Sequence, residues 1–297
     1  MTADGHKGTF VLGCGAQKAG TSWLQAYLEL HRQADFGPIK EYHVFDALEL
    51  PEMSHFLSRR DPTLTDRPAQ FLRHLIRTKQ RPLRETLRAR LRKPGAYIPY
   101  FANILKQKNI RLTGDITPEY AGLSHETLTD IRTGFAAQGI KTTALFIMRD
   151  PVERCLSAIR MYRGRPMESH HLPITREEST DTIAIRMMSH GHFAITTRYD
   201  LTLARLEAIF GDDLCLSFFE ELFDGGEAER IARFLGLDPL PPDLQSMKNV
   251  SGFKDEAVSE ATRAAVARHF APVYADAAHR FGAARMHGLW SGYAFLA

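Results

Sequence analysis

The chain has 297 residues, 44% of them hydrophobic and 25% charged, with a net charge of +3, the composition of an ordinary soluble globular protein able to bury a core. No apolar run approaches the ~20 residues of a membrane span, and the opening MTADGHKGTF lacks the apolar centre of a signal peptide, so a cytoplasmic chain with no transmembrane segment is expected. Cys14, Cys155 and Cys215 are far apart with no C-x-x-C spacing, and the thirteen histidines include no H-E-x-x-H, which argues against a disulfide framework and a zinc site.

TFVLGCG (9–15) reads as a buried strand entering a glycine-rich turn, and Trp23, Leu24, Tyr27, Leu28 and His31 then follow helical spacing. ADFGPIKEYHVFD (34–46) reads as a turn followed by a short extended segment. Residues 67–93 read as one or two basic helices broken near Pro82; they carry ten Lys/Arg against the single acid Glu85, +9 in that stretch and −6 elsewhere. IRLTGD (110–115) is a second strand, and Ser124 opens the following helix as an N-cap. KTTALFIM (141–148) is a third, strongly apolar strand. Asp150 as N-cap and Pro151 in the first turn start a helix through VERCLSAIRMYR. DLTLARLEAIFG ends at Gly211, a C-cap, and LCLSF (214–218) is a fourth strand. EAERIARFLGL and EATRAAVARHFAPVYADAAHRFG are later helices. Strands separated by helices predict an α/β chain whose central parallel sheet carries helices on both faces. Ligands of such sheets bind at the carboxyl ends of the strands, where GAQKAGTS (15–22) and RDPVER (149–154) both fall.

A nucleotide-triphosphate loop reads G-x-x-x-x-G-K-[ST]. Gly15 and Gly20 have that spacing, but Thr21 stands in the lysine position and the lysine lies inside the loop, at Lys18. Glycines let backbone N–H groups approach a phosphate, and the start of the following helix adds a favourable dipole. Thr21 and Ser22 can add hydroxyls. Farther on, Arg149 ends a strand and Ser157 lies about two turns into the next helix, so both can reach one phosphate near the sheet edge. The plainer reading is a buried Arg149–Asp150 ion pair with a helix-face serine. Glu41 likewise has a plain reading, as a surface carboxylate paired to Lys40. The basic segment is either the footprint of an anionic partner, for which arginine forks are suited, or a solvated helix face. His170, His171, His190 and His192 are too loosely spaced to make a metal site.

Together GAQKAGTS and RDPVERCLS resemble the two cofactor motifs of the sulfotransferases that use 3′-phosphoadenosine 5′-phosphosulfate (PAPS). KEYHVFD (40–46) is similar to the K-E-x-x-F-F segment of the carbohydrate, heparan-type branch, and GDITPEY (114–120) to its G-E-x-T-P-x-Y, with Asp115 in place of the usual glutamate. FLGL (234–237) resembles a late helix ending of the family. The resemblance implies one domain over residues 1–297 with a P-loop-like nucleotide-binding fold. Ala16, Gln17, Lys18, Ala19, Gly20, Thr21 and Ser22 would hold the 5′-phosphosulfate, and Arg149 and Ser157 the 3′-phosphate. Lys18 would stabilise the leaving oxygen, and Glu41, or else His43, would be the catalytic base. The product would be adenosine 3′,5′-bisphosphate, with no metal required. The family's late phosphate loop is not evident, and KNVSGFK (248–254) is the candidate replacement.

The implied reaction moves a sulfuryl group to a hydroxyl acceptor, a carbohydrate or glycolipid, with residues 163–196 as a gate on the acceptor side. The basic stretch points to an acidic acceptor. A P-loop kinase or nucleotide hydrolase is the alternative, although the loop lysine is displaced and Asp150 is the only candidate metal-holding acid. A binder of nucleic acid or another acidic polymer is a third reading, and no nucleic-acid module supports it.

Overall fold

The computed structural model describes residues 7–57, 81–163, 172, 174–175, 177–224, 226–242 and 258–296. Four strands, β1 (Thr9–Gly13), β2 (Leu112–Ile116), β3 (Lys141–Met148) and β4 (Leu214–Phe218), form one sheet in the order β2-β1-β3-β4. All three pairings are parallel. β1 and β2 are buried at every position, and β3 at every position but Lys141. FVL in β1 and ALFIM in β3 lack the alternation of a half-solvated strand, so both faces need cover. Helices provide it: α1 (Thr21–Leu28), α2 (Phe45–Glu49), α3 (Arg81–Leu91), α4 (Tyr97–Ile104), α5 (His125–Ala136), α6 (Pro151–Arg163) and α7 (Thr180–Met188). They are followed by α8 (Gly191–Thr197), α9 (Tyr199–Phe210), α10 (Glu227–Phe234), α11 (Glu260–His269), α12 (Ala271–Phe281) and α13 (Ala283–Leu289). The α/β class and the four strands are those expected.

Val11 aligns with Gly114 across the β1–β2 pair. A Cβ on Gly114 would lie 2.3 Å from Val11 Cγ1 and 2.4 Å from its carbonyl oxygen, so no larger residue fits. The chain leaves β1 for β2 on one side and later fills the other side with β3. The carboxyl end of β1 therefore lies at a topological switch point, where such sheets open a crevice. The predicted caps form: Ser124 Oγ accepts from Thr127 N at 3.2 Å and Asp150 Oδ1 from Val152 N at 3.0 Å.

Two expectations change. Residues 40–46 are not extended, because Glu41 and His43 take φ of +56° and +49° and Phe45 already starts α2. The long late helix is two, α11 and α12, parted at Phe270 with Pro272 in the first turn of α12. Proline lacks the N–H that would continue α11 and its ring clashes with the preceding turn. Of the basic segment, residues 67–80 lie outside the described residues. α3 is described from Arg81 onward, so the expected break near Pro82 lies at the edge of the described residues.

The loop carrying Glu41 and His43 hangs on Asp115, a fully buried carboxylate of β2. Its Oδ1 accepts from Tyr42 N (3.3 Å) and Thr117 Oγ1 (2.6 Å), and its Oδ2 from the hydroxyls of Tyr97 (2.9 Å) and Tyr120 (2.7 Å). Burial pushes its pKa up, and these four donors oppose that shift. The Tyr120 hydroxyl also accepts from Val44 N at 3.3 Å. Both amides flanking His43 are thus tied to the β2 end of the sheet. Asp115→Ala would leave four buried donors without their acceptor and should destabilise the protein by at least about 3 kcal/mol. Urea unfolding would show this as a lower midpoint at unchanged slope. A loss below about 1 kcal/mol would show that the carboxylate is not the anchor.

Candidate active site

The loop after β1 stays pinned to β3. Cys14 N and Ala16 N donate to the carbonyls of Leu145 and Ile147 at 2.9 and 2.7 Å, and Ile147 N returns a bond to Gly15 O at 2.9 Å. Lys18 and Gly20 both take the left-handed conformation, with φ of +69° and +83°. Gly20 precedes α1 with no side-chain cap, so the positive end of the helix and its first-turn amides serve the loop. A Cβ on Gly20 would lie 2.7 Å from Leu222 Cδ2. Both its backbone conformation and its surroundings require glycine. Thr21 is buried and Ser22 half-buried at the start of α1.

Two arginines hold this loop by its carbonyls. Arg149 Nη1 donates to Lys18 O at 2.9 Å, with its guanidinium 4.0 Å from the centre of the Phe219 ring. Its Nε is buried and has no hydrogen-bond partner among the described residues. Burial lowers its pKa, and the carboxylate of Glu220 acts in the opposite sense. Arg154, fully buried, donates from Nε to Gln17 O at 2.9 Å and from its two other nitrogens to the hydroxyls of Thr196 and Thr197 on α8. Asp150 forms no ion pair with Arg149 among the described residues. Its carboxylate instead accepts from Val152 N, the Tyr274 hydroxyl, Ser291 Oγ and Gly292 N at 2.6–3.0 Å.

Joined to the loop through Gln17 and Ser22 is a charged cluster. His43, 5% exposed, bonds through Nδ1 to Asp46 Oδ2 at 2.6 Å. Its Nε2 is 3.8 Å from Glu41 Oε2, and its Nδ1 4.0 Å from Glu119 Oε2. The ring stacks on Phe56 at 3.9 Å. Burial opposes a charge on His43, but the Asp46 and Glu41 carboxylates outweigh it and raise its pKa from 6.5 to about 10. Burial also opposes the charge on Glu41, yet His43 and Lys40 together lower its pKa from 4.5 to about 2. One imidazolium therefore sits among three carboxylates. His43, Asp46 and Glu119 offer atoms within 4.8 Å of one another, a spacing suited to a cation. With His43 protonated, the imidazolium places a positive charge there.

The structure joins most of the residues singled out in the sequence. Lys18 meets Arg149 through its carbonyl. Lys40 Nζ pairs with Glu41 Oε1 at 3.2 Å and also donates to Ser22 Oγ, linking Glu41 to the loop. Gln17 Nε2 donates at 3.1 Å to Glu119, whose carboxylate is also 3.6 Å from His192 Nε2. Ser157 is half-buried on α6, and no contact brings it to Arg149. His170 and His171, and the candidate loop 248–254, lie outside the described residues. Of the loose histidine group, His190 precedes α8 and His192 joins the Glu119 cluster. Arg154, Asp46, Glu119 and Arg88 were not singled out as site residues. The first three stand inside the quoted motifs, and the His43–Asp46 spacing of three was the one usable signal.

No family model matches the chain, and no curated protein matches it in sequence. Solved structures do match in shape. A sulfotransferase from Alicyclobacillus acidocaldarius aligns with a TM-score of 0.59 at 18% identity, over 91% of this chain and 94% of that one. The two chains share a fold. Sulfotransferase domains of the Synechococcus PCC 7002 olefin synthase and of the curacin biosynthetic pathway align with TM-scores of 0.44 and 0.41, at 14% and 15% identity. They cover 89% and 86% of this chain and 94% and 81% of their own. At 18% identity the likeness to the first of these concerns the fold alone. No helix among the described residues is long and apolar enough to cross a membrane.

The cluster makes stability depend on pH. The folded pKa of His43, about 10, lies above its ordinary 6.5. Its contribution is therefore full below about pH 6.5 and is lost as pH rises through about 10. Urea unfolding at successive pH values should show stability falling across that window, and His43→Gln should flatten the fall. An equally steep fall in the variant would assign the effect to another group.

Proposed function

We propose that this chain is a PAPS-dependent sulfotransferase that transfers a sulfuryl group to a hydroxyl of its acceptor, a carbohydrate or glycolipid. The observation that carries this reading is the contact between the two anion-binding motifs, Arg149 Nη1 on the carbonyl of Lys18 at 2.9 Å. One ligand bearing anionic groups at both ends would engage both motifs. The buried, unpartnered Nε of Arg149 and the uncapped start of α1 fit such a ligand.

In this reading Ala16, Gln17, Lys18, Ala19, Gly20, Thr21 and Ser22 receive the 5′-phosphosulfate, and Arg149 and Ser157 the 3′-phosphate. The donor supplies the sulfuryl group and leaves as adenosine 3′,5′-bisphosphate. Lys18 places a cation where negative charge develops on the leaving oxygen. Between the two candidate bases a free proton site and access favour Glu41, although its lowered pKa makes it a weak base. It is ionised and its side chain is one-third exposed, at 33%. His43 already carries its proton and lies under Phe56. Glu41 thus takes the acceptor's proton, while the His43 imidazolium orients and steadies that carboxylate. This scheme needs no metal. A location in the cytoplasm and a single domain are parts of the same proposal.

Against the kinase or hydrolase reading, the Asp150 carboxylate accepts four hydrogen bonds from the protein itself.

Calorimetry separates the readings. Adenosine 3′,5′-bisphosphate should bind without magnesium. Arg149→Ala should weaken it by at least about tenfold, from the loss of a charge-assisted hydrogen bond, while adenosine 5′-phosphate loses much less. Equal weakening of both ligands would remove Arg149 from the 3′-phosphate, and a requirement for ATP with magnesium would favour the kinase.

A further inference from the structure

Arg88 belongs to the basic segment for which the sequence offers a steering role or a solvated face. Its position on α3 fits neither. The residue is only 7% exposed. Its Nη2 donates to the carbonyl of Glu41 and, at 3.4 Å, to that of Lys40, while Nη1 pairs with Glu85 at 3.2 Å. The guanidinium lies 5.2 Å from the centre of the Phe56 ring, and Phe56 also stacks against His43 at 3.9 Å and 17°. Phe56 therefore touches both Arg88 and His43. The planar fork suits both tasks, reaching two successive carbonyls while presenting a face to an aromatic ring.

The turn that carries Glu41 and His43 needs support. Glu41 and His43 hold φ of +56° and +49°, a region that side chains with a Cβ rarely occupy. Such conformations persist only where the surroundings over-determine them. From the sheet side, Asp115 and Tyr120 hold the amides of Tyr42 and Val44. From the other side, Arg88 holds the carbonyls of Lys40 and Glu41.

We propose that Arg88 is a positioning residue, whose fork on α3 fixes the left-handed turn that aims Glu41 and keeps His43 under Phe56. The catalytic part of this inference rests on the sulfotransferase reading; the structural part stands without it.

The test turns on the sign of a change. His43 faces Asp46, Glu41 and Glu119 directly. Lys40 stands behind Glu41, His192 behind Glu119 and Arg88 behind Phe56. Simple removal of the Arg88 charge would favour the imidazolium and raise the His43 pKa. Release of the turn would separate the imidazolium from its carboxylates and lower it. NMR titration of the His43 ring in the full chain should therefore show a fall of about one unit or more in Arg88→Ala. Arg88→Lys should show a smaller fall, because an ammonium cannot reproduce the fork. In a sulfuryl-transfer assay kcat should drop about 10- to 100-fold, as for a misplaced reacting group, with affinity for adenosine 3′,5′-bisphosphate unchanged. Added guanidinium should restore part of the rate. A His43 pKa that rises or stays put in both variants overturns the proposal, as does an unchanged kcat in an active protein. If the wild type transfers no sulfuryl group, the functional reading fails while the titration still decides whether Arg88 holds the turn. Should Arg88→Ala not fold, Arg88→Lys carries the same measurement.

Discussion

A trans peptide unit points its carbonyl and its following N–H to opposite sides. Arg154 holds the carbonyl of Gln17 and Arg149 that of Lys18. Gripping the Gln17 carbonyl from the β3–α6 side turns the next amide, that of Lys18, the other way. The rest of the site depends on this grip. Among the described residues Arg154 has no carboxylate within hydrogen-bonding distance, and its donors go to Gln17 O and two threonine hydroxyls. A fully buried cation is costly unless its donors are satisfied, so α8 must sit where Thr196 and Thr197 can meet it. The loop, the strand–helix unit after β3 and helix α8 are thereby fixed relative to one another.

The second half of the site is fastened to the first by charge. Lys40 reaches both Ser22 and Glu41. Glu119 stands between Gln17, His192 and His43. These contacts bring residues far apart in sequence onto one crevice wall. They also set the protonation states: a Glu41 that stays ionised and a His43 that stays protonated around neutrality. Fold and chemistry meet in Asp115, which satisfies the tyrosines behind the sheet and holds the amide between Glu41 and His43.

Much of this was legible in the chain. β1 and β3 announce themselves as apolar runs, because a sheet covered on both faces tolerates no polar alternation. Ser124 and Asp150 mark helix starts because their side chains satisfy first-turn amides. The spacing of Gly15 and Gly20 located the loop, and the displaced Lys18 separated it from a nucleotide-triphosphate loop. The turn at Glu41 and His43 was not legible. Neither residue favours positive φ, and contacts from Asp115, Tyr120 and Arg88, remote in sequence, impose it. The inward face of Arg154 and the meeting of Glu119 with His192 were hidden for the same reason: only the packing of α6 and α8 against the loop defines them. The basic character of residues 81–93 was plain, but charge alone did not show that Arg88 turns inward.

The most direct measurement follows the sulfuryl group itself. PAPS carrying labelled sulfate would be incubated with the protein and fractionated extracts of its host, and the labelled product identified by mass spectrometry. The account predicts label in a hydroxyl-bearing carbohydrate or glycolipid, formed without added metal and in step with adenosine 3′,5′-bisphosphate, and lost in Lys18→Ala and Glu41→Gln. Turnover of ATP with magnesium and no labelled product from any fraction would contradict it.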